Sequence, residues 1–365
     1  MTRTTRGGGL DGDPGTGFLH EVRDAVSART GLLVVGVLLI QLAFIASYIG
    51  AFHKPVPQEI PIAVTAPNAP VTAQAVERLR ALPGEPLKPH AVRDEAAAVE
   101  QIRNRDVDGA LIVDPRAPGD RLLVASAAGG SLSQALEQVV GAAEQAQKRR
   151  LTVTDVVPGA AGDARGLSSF YLVVGWCVGG YLCASALAIS AGAKPANPAR
   201  ALIRLCAMLL YSLAAGLFGA LIAGPWLDAL PGSVMALWGL GTLLVFAVGA
   251  LTLAFQGIAG VVGIGLAILL VVVLGNPSAG GAYPYPLLPD FWRALGPALP
   301  PGAGTYAARS IAYFKGNGAG GPFLILAAWA VGSAALTLLL SLLRQDRRNP
   351  DRDLARMARS SSVSA

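Results

Sequence analysis

Long apolar segments alternate with polar segments along the chain, and this pattern predicts a membrane protein. No Asp, Glu, Lys or Arg occurs at positions 229–289 or 316–343. Uncharged apolar runs of about 18 residues or more are candidate membrane-spanning helices, because the hydrocarbon core of a bilayer is about 30 Å thick. Six transmembrane helices are predicted, over residues 31–52, 170–191, 205–226, 234–255, 258–274 and 322–343.

The fourth and fifth predicted helices are separated only by the dipeptide Gln256-Gly257. The apolar run over positions 234–274 contains 41 residues, which is too long for a single span because about 20 residues cross the hydrocarbon core. A tight hairpin of two transmembrane helices explains the length of this run.

The segment 53–169, between the first two predicted spans, has the composition of a soluble domain. Strand-like stretches such as "IPIAVTA" and "ALIVD" alternate with helix-like stretches such as "TAQAVERLRAL" and "DEAAAVEQIRNRDVDG". This alternation is typical of a small α/β fold. We expect Thr72 and Ser131 to cap helices and Gly109 to end one. The predicted fold is an α-helical integral membrane protein with six transmembrane helices and a small α/β extracytoplasmic domain between helices 1 and 2.

The segment 275–321, before the last predicted span, is rich in Gly, Pro and aromatic residues. Its stretch "LPPGAGTYAARSIAYFKG" resembles a phosphate-binding turn, but the lysine that such a loop requires after its second glycine is missing. We expect Pro300 and Pro301 to break a helix and Thr305 to cap the next one. A partly re-entrant hairpin is predicted here, because non-helical backbone at membrane depth must be shielded by protein or line a water-filled cavity.

Basic residues indicate the orientation of the chain in the membrane. They are concentrated in the N-terminal tail 1–30, in the link 192–204 and in the C-terminal tail 344–365. Short segments rich in Lys and Arg stay on the cytoplasmic side, which predicts a multi-pass plasma-membrane protein with both termini in the cytoplasm. Residues 18–28 are predicted to form an amphipathic helix on the inner membrane surface, or else a polar-faced extension of the first span.

Composition excludes several classes of function. Only 14% of the residues are charged, against about 25% in soluble domains, and the net charge of +6 comes largely from the tails, which are expected to contact membrane lipid and not nucleic acid. The three cysteines lie in predicted spans and the three histidines are scattered. We therefore expect no catalytic, cofactor-binding or metal site and no enzyme activity. The near absence of ionisable residues from the spans argues against a proton- or sodium-coupled transporter.

Three stretches carry a resemblance to a known family: "DEAAAVEQIRNRDVDGALIVDP", "GLSSFYLVVGWCVGGYL" and "LPDFWRALGPALPPGAGTYAARSIAYFKG". Together with the layout of the spans, they resemble bacterial ABC-2-type permeases that have a large extracytoplasmic insert, close to the YhgE/Pip (phage infection protein) group. The resemblance covers residues 18–343. It implies a homo- or heterodimeric permease for lipophilic or glycolipid cargo, powered by a separate cytoplasmic ATPase. It also implies that residues 18–28 and the link 192–204, with Lys194, Arg200 and Arg204, face that ATPase.

Two functions are compatible with these patterns. The first is the permease subunit of an ABC-2-like exporter for hydrophobic or amphipathic cargo, with ATP hydrolysis supplied by another subunit. In this case the outer segment forms a gate, in which Arg309 meets lipid headgroups or cargo at the outer face; the candidate gate residues are Trp292, Pro300, Pro301, Thr305 and Arg309. The alternative is a membrane-anchored receptor or assembly scaffold, whose extracytoplasmic domain binds a partner without transport.

Overall fold

The structure is a computed structural model that describes residues 28–163 and 165–347. The predicted amphipathic helix over 18–28 lies, except for its last residue, outside the described residues, as does most of the basic C-terminal tail. The chain divides into two units, residues 1–46 and 47–365. Helix α1 (Ala28–Phe52) begins in the first unit, and the features described below belong to the second.

A five-stranded mixed sheet follows α1. Its strands are β1 (Ile60–Thr65), β2 (Leu87–Ala91), β3 (Gly109–Ile112), β4 (Gly119–Val124) and β5 (Arg150–Asp155), in the order β2-β1-β3-β4-β5. Strand β1 is parallel to β2 and β3, whereas β4 is antiparallel to β3 and parallel to β5. The intervening helices are α2 (Ala69–Arg80), α3 (Glu95–Asn104) and α4 (Gly130–Ala146). The predicted small α/β region is thereby confirmed.

Helix α2 begins one turn earlier than predicted. Asn68 is its N-cap, and the side-chain oxygen accepts a hydrogen bond of 3.0 Å from the amide of Val71. Thr72 lies inside the helix and donates its hydroxyl to the Asn68 carbonyl. The predicted Thr72 cap is wrong because the preceding Asn-Ala-Pro sequence supplies both a strong cap and a proline suited to the first turn.

The predicted end of α3 and start of α4 also differ from the structure. Helix α3 stops at Arg105, which has a left-handed conformation with φ 65°, while Gly109 begins β3. Ser131 lies inside α4 and donates its hydroxyl to the carbonyl of Ala282, 2.9 Å away. Both predictions are wrong for the same reason. Arg105 and Ser131 each donate hydrogen bonds to residues far away in the sequence, and these contacts override the local signals.

The remaining helices form an apolar bundle. They are α5 (Ser168–Ala191), α6 (Pro198–Leu221), α7 (Val234–Ala259), α8 (Val262–Ile268), α9 (Asp290–Leu295), α10 (Pro300–Tyr313) and α11 (Gly320–Arg347). Within the described residues, five helical stretches are long and apolar enough to cross a membrane: Thr30–Phe52, Ser168–Ala191, Pro198–Trp226, Val234–Ala259 and Gly320–Gln345. The protein is therefore membrane-embedded. Helix α7 is central, because it packs against α5, α6 and α11.

The predicted fifth span, 258–274, is not one of these five stretches. Gln256 is fully buried inside α7, where its Nε2 donates to the carbonyl of Ala184 at 3.2 Å. Helix α7 consequently continues past this dipeptide and turns only at Gly260, which has a φ of 64°. The next apolar helical stretch, Val262–Ser278, is shorter and changes to a π-helix over Leu269–Gly275.

Contacts between loops define the two ends of the bundle. The turn after α6 lies beside the end of α10, since a Cβ atom on Gly232 would lie 2.6 Å from the carbonyl oxygen of Ile311. The sheet domain, which consists of β1–β5 and α2–α4, packs at this end, since Phe314 at the end of α10 lies in one of its cores. The turn between α7 and α8 lies at the opposite end, where a Cβ atom on Gly260 would lie 3.5 Å from Cε of Lys194.

The predicted outer segment 275–321 contributes residues to the cores of both the sheet domain and the bundle. Leu287 is buried in the sheet core with Ile62, and Phe314 is buried in the core on the other side of the sheet with Ile102. Ala303, Ala307 and other small residues of α10 are buried in the bundle core. The sheet domain and the bundle are thus joined through this segment.

Candidate functional site

Helix α10 is built differently from the prediction. Pro300 and Pro301 occupy its first two positions, where a missing N–H costs nothing and the fixed φ favours a helix. Thr305 lies in the helix interior, and its hydroxyl donates to the carbonyl of Pro301 at 2.8 Å. The prolines therefore start a helix and do not break one, and the predicted cap at Thr305 is wrong.

The glycines of α10 serve packing. A Cβ atom on Gly302 would overlap the carbonyl of Gly296 and lie 3.0 Å from the hydroxyl of Tyr285. A Cβ atom on Gly304 would crowd Leu244 and Val173 in the bundle core. The sequence that resembles a phosphate-binding turn is thus a helix that needs small residues for close approach.

Arg309 lies in the interior, and the prediction that it lies at the outer surface is wrong. Its side chain is almost fully buried, with 4% exposed. Its Nη1 donates to the carbonyl of Gly280 at 2.6 Å, and its Nη2 donates to the carbonyls of Gly166 and Gly281 at 3.0 and 2.8 Å. Burial, together with the positive charge of Arg105, lowers the pKa of Arg309 to about 10, so the guanidinium remains charged at neutral pH.

Arg105 connects the sheet domain to α10. Its Nη1 donates to the carbonyl of Tyr306 at 3.0 Å and to the hydroxyl of Ser310 at 2.7 Å. The guanidinium carbon lies 3.5 Å from the centre of the Tyr306 ring and 4.9 Å from that of Phe314, which is cation–π geometry. Sequence reasoning missed Arg105, because its partners lie about 200 residues away.

A cavity of about 200 Å³ lies between Arg105 and Arg309, and we call it the junction cavity. One wall comes from the sheet domain, and the other comes from α10 and the segment before α9. Its lining residues are Pro61, Arg105, Asp108, Ala128, Leu132, Ala279, Gly280, Pro284, Tyr285, Pro286, Tyr306 and Arg309. The cavity therefore combines two guanidinium groups, one carboxyl group and two phenol groups within a mostly apolar wall.

Burial changes the ionisation of the other polar groups in this wall. It raises the pKa of Asp108 to about 6, and the opposing effect of the positive charge on Arg105 is smaller. It also raises the pKa of Tyr285, so this phenol is neutral and able to donate. The Tyr285 hydroxyl and the Nε of Arg309 are buried without a hydrogen-bond partner among the described residues. The junction cavity thus has two unsatisfied polar groups in its wall.

The structure does not bring all the predicted gate residues to one place. Arg309 lines the junction cavity, whereas Pro300, Pro301 and Thr305 are buried near the start of α10 without lining it. Trp292, with 9% exposed, belongs to a separate cluster with Leu288 and Ala51. A common gate formed by all five residues is therefore not seen.

The three basic residues of the α5–α6 link also differ from one another. Lys194 and Arg200 are exposed. Arg204 is buried, and its Nη2 donates to the carbonyls of Ala191 and Gly192, both at 2.7 Å. Because these carbonyls end α5, Arg204 stabilises the C-terminus of that helix. Only Lys194 and Arg200 have exposed side chains that a partner protein could contact directly.

A second, apolar concavity lies between α6 and α7, and we call it the α6–α7 groove. It has a volume of about 410 Å³ and is lined by Leu209, Leu213, Met235, Trp238, Gly239, Thr242, Leu243 and Phe246. The Trp238 indole donates to the carbonyl of Leu213 at 2.9 Å, which fixes one side of the groove. None of these lining side chains is ionisable.

A larger cleft of about 970 Å³ lies on the sheet domain beside α3. It is lined by Glu95, Ala96, Val99, Glu100, Arg103, Asn104, Val156, Val157, Pro158, Tyr313, Phe314, Lys315 and Asn317. Charges of both signs surround an apolar floor, as in many protein-binding surfaces. We call it the α3 cleft.

Comparison of the chain with protein-family models, with curated proteins and with solved structures finds no match. Across residues 28–163 and 165–347, no group of three or more His, Cys, Asp and Glu residues is placed to hold a metal ion. The resemblance to ABC-2-type permeases stays a prediction, and the chain is a membrane-embedded, mostly helical protein with a small α/β region.

Proposed function

We propose that this chain is the permease subunit of an ABC-2-like exporter for hydrophobic or amphipathic cargo, with ATP hydrolysis supplied by a separate subunit. The α6–α7 groove is the main support. Its volume of about 410 Å³ falls within the range of about 300–1,000 Å³ that is usual for ligand pockets. Its uncharged wall suits an alkyl chain or a ring system and does not suit a hydrated ion.

The π-helix after α8 and the irregular segment that follows it give further support. The π-helix Leu269–Gly275 is followed by the irregular segment before α9, and this segment is largely buried by protein. Irregular backbone shielded in this way occurs where membrane proteins bind or conduct their cargo, and π-helical turns are frequent at functional sites. In this proposal Val262–Ser278 is the sixth membrane crossing, with the sheet domain outside the cell.

Exposed basic residues at the end of the bundle opposite the sheet domain support the proposed partners. Lys194 and Arg200 are exposed there, and the positive-inside rule assigns this end to the cytoplasm. A cytoplasmic ATPase subunit would dock on this surface, and membrane lipid would surround the apolar helices. The functional unit would be a homodimer or a heterodimer with a related permease chain.

The alternative function, a membrane-anchored receptor or assembly scaffold, is favoured by the α3 cleft. Its floor includes Val99 and Val157, and its rim carries Glu100, Arg103 and Lys315. Such a surface would bind a partner protein without any transport through the bundle. This alternative predicts that filling the α6–α7 groove has no effect on function.

Gly239 provides a direct test of the proposed transport function. No atom lies within 4 Å of a Cβ atom placed on it, so the variant Gly239→Leu fills the α6–α7 groove without a clash. Gly332→Leu in α11 is the matched control, because that position is equally open and lies outside the groove. We expect Gly239→Leu to reduce export of cargo by about tenfold or more, as expected when a binding pocket is filled, and Gly332→Leu to leave it unchanged.

The measurement uses the full chain in its native membranes. Efflux of a fluorescent phospholipid and of an amphipathic dye is followed in cells with the deletion, the wild type and each variant at matched expression. Co-purified proteins are identified by mass spectrometry. Efflux that is unchanged by both the deletion and Gly239→Leu, without a co-purifying ATPase, would contradict the permease proposal and leave the receptor alternative.

A further inference from the structure

We infer that the junction cavity is a binding site for a phosphate group, which would be held by Arg105, Arg309 and Tyr285. This inference goes beyond the proposed transport function, since binding can be measured in the purified chain without transport. It would survive failure of the export experiment, and its own failure would leave the permease proposal intact.

The balance of charge in the cavity favours an anion. Two guanidinium groups, those of Arg105 and Arg309, line the cavity with one carboxyl group, that of Asp108. The carboxyl group of Asp163 lies near Arg309 outside the wall. Guanidinium groups match the geometry of phosphate oxygens and lose less hydration energy than ammonium groups do. Because the wall is largely buried, these charges are screened less than surface charges. An anion that enters the cavity would therefore meet more guanidinium than carboxyl groups in its wall.

Unsatisfied polar groups in the wall indicate that a ligand completes the site. The Nε of Arg309 and the hydroxyl of Tyr285 are buried with no partner in the described part of the chain, and such groups carry a free-energy penalty. The other nitrogens of Arg309 are occupied by three backbone carbonyls, which hold the side chain in place. A phosphate oxygen would accept hydrogen bonds from both unsatisfied groups.

The size of the cavity limits the ligand. Its volume of about 200 Å³ corresponds to the space of roughly six or seven water molecules. A phosphate group with a few waters fits this volume, but the remaining space is too small for an acyl chain. The ligand is therefore either a soluble phosphate compound or the headgroup of a phospholipid whose chains remain outside the cavity.

The test uses the purified full chain in dodecyl maltoside, a detergent without phosphate. Inorganic phosphate is titrated by isothermal calorimetry, and phosphatidylglycerol is added separately and followed by native mass spectrometry. Saturable binding of inorganic phosphate supports a soluble ligand. Saturable binding of phosphatidylglycerol alone supports a lipid headgroup. Absence of saturable binding of both probes would overturn the inference.

Two variants with opposite expected effects separate a specific site from a general loss of folding. Tyr285→Phe removes only a hydroxyl that has no partner within the described residues, so the fold should persist, and we expect affinity to fall by about tenfold because a hydrogen bond to a charged group is lost. Asp108→Asn removes a negative charge from the wall, and we expect binding to become several-fold tighter.

Tyr283→Phe is the matched control, because this neighbouring tyrosine does not line the cavity. Its affinity for the probe should equal that of the wild type. Affinity that is unchanged in Tyr285→Phe, or reduced in Asp108→Asn, would show that the probe binds elsewhere and would overturn the inference.

Discussion

Glu144 and Asp120 form a buried carboxyl pair inside the sheet domain, away from the junction cavity. Oε1 of Glu144 accepts a hydrogen bond of 2.6 Å from Arg78, and Asp120 accepts two from Arg149, at 2.6 and 2.9 Å. Burial and, to a smaller extent, the neighbouring Asp120 together raise the pKa of Glu144 to about 7. The positive charges of Arg78 and Arg149 oppose this shift. Burial acts in the same direction on Asp120, but hydrogen bonds from Arg149 and from the Asp114 amide outweigh it and lower the pKa. The two carboxyl groups therefore share this site with Glu144 as the protonated member.

This pair makes the stability of the sheet domain depend on pH. In the unfolded chain Glu144 loses its proton near pH 4.5, whereas in the folded chain it keeps the proton up to about pH 7. Its stabilising contribution is complete below pH 4.5 and is lost as pH rises to about 7, a change on the order of 1–3 kcal/mol. In Glu144→Gln the amide can accept from Arg78 and donate to Asp120, so we expect this pH dependence to disappear.

Hydrogen exchange of the full chain in nanodiscs, corrected for the intrinsic effect of pH on exchange, measures this change. Peptides covering β4, α4 and β5 should lose protection between pH 5 and 7.5 in the wild type and keep it in Glu144→Gln. Glu137→Gln serves as the control, because Glu137 is exposed on the same helix. An equal pH dependence in both variants would contradict the assignment of the proton to Glu144.

Residues whose roles depend on distant partners were not predictable from sequence. Arg105 and Asp108 lie in a short polar stretch that reads as a turn, and nothing local indicates that Arg105 contacts Tyr306. The sequence predicts Arg309 as a gate residue at the outer face, where it would meet lipid headgroups or cargo, yet the side chain is buried. The layout of the segment identifies the residue, but only the fold shows which cavity it lines.

At the scale of elements, local periodicity predicts the type of an element better than it predicts where the element begins and ends. The alternation of strands and helices in the sheet domain was recognised because each strand and helix has its own apolar period. The ends of helices are harder to predict from sequence, because the Pro300-Pro301 pair is equally suited to ending one helix and starting another. The π-helix Leu269–Gly275, which follows α8, has no local sequence signal, so the sequence does not predict the change in helix type.

Leu287 and Leu288 test whether the outer segment stabilises the sheet domain. Leu287 is buried against the sheet core, whereas its neighbour Leu288 is buried against Ala51 and Trp292. We expect Leu287→Ala to destabilise the sheet domain by about 2–4 kcal/mol through the cavity it leaves. Hydrogen exchange should then accelerate in peptides covering β1 and α4.

Leu288→Ala is the matched control for this prediction, since it removes the same atoms from an adjacent buried position. It should leave exchange in β1 and α4 unchanged and affect peptides around α9 instead. If both variants loosened the sheet domain equally, the division of the outer segment between two cores would be incorrect.

At the scale of the whole molecule, the two ends of the bundle should lie on opposite sides of the membrane. Arg116 is an exposed residue of the sheet domain, whereas Lys194 and Val261 are exposed at the opposite end. In a chain whose three cysteines are replaced by alanine, we expect an impermeant maleimide to label Arg116→Cys in intact cells. Lys194→Cys and Val261→Cys should be labelled only after permeabilisation, because the basic residues near them favour the cytoplasmic side.

The labelling pattern separates three possible arrangements. Reversed labelling of all three sites would mean that the sheet domain lies in the cytoplasm. Labelling of Val261→Cys together with Arg116→Cys in intact cells would contradict the proposed crossing by Val262–Ser278. The expected pattern would support a crossing by Val262–Ser278 in addition to the long helices that lie between the labelled positions.

The division of the sheet core between distant parts of the chain has a consequence for biosynthesis. Strand β5 ends at Asp155, yet Leu287 and Phe314, which help to fill the core, follow about 130 residues or more later. At translation rates of about 5–20 residues per second, the ribosome needs roughly 7–26 s to reach Leu287. During this time the sheet domain waits on its side of the membrane with an unfilled core, open to chaperones and proteases. The sheet domain can therefore complete its core only after the helices in between have been synthesised, and we expect a chain that stalls before α9 to keep apolar surface of the sheet exposed.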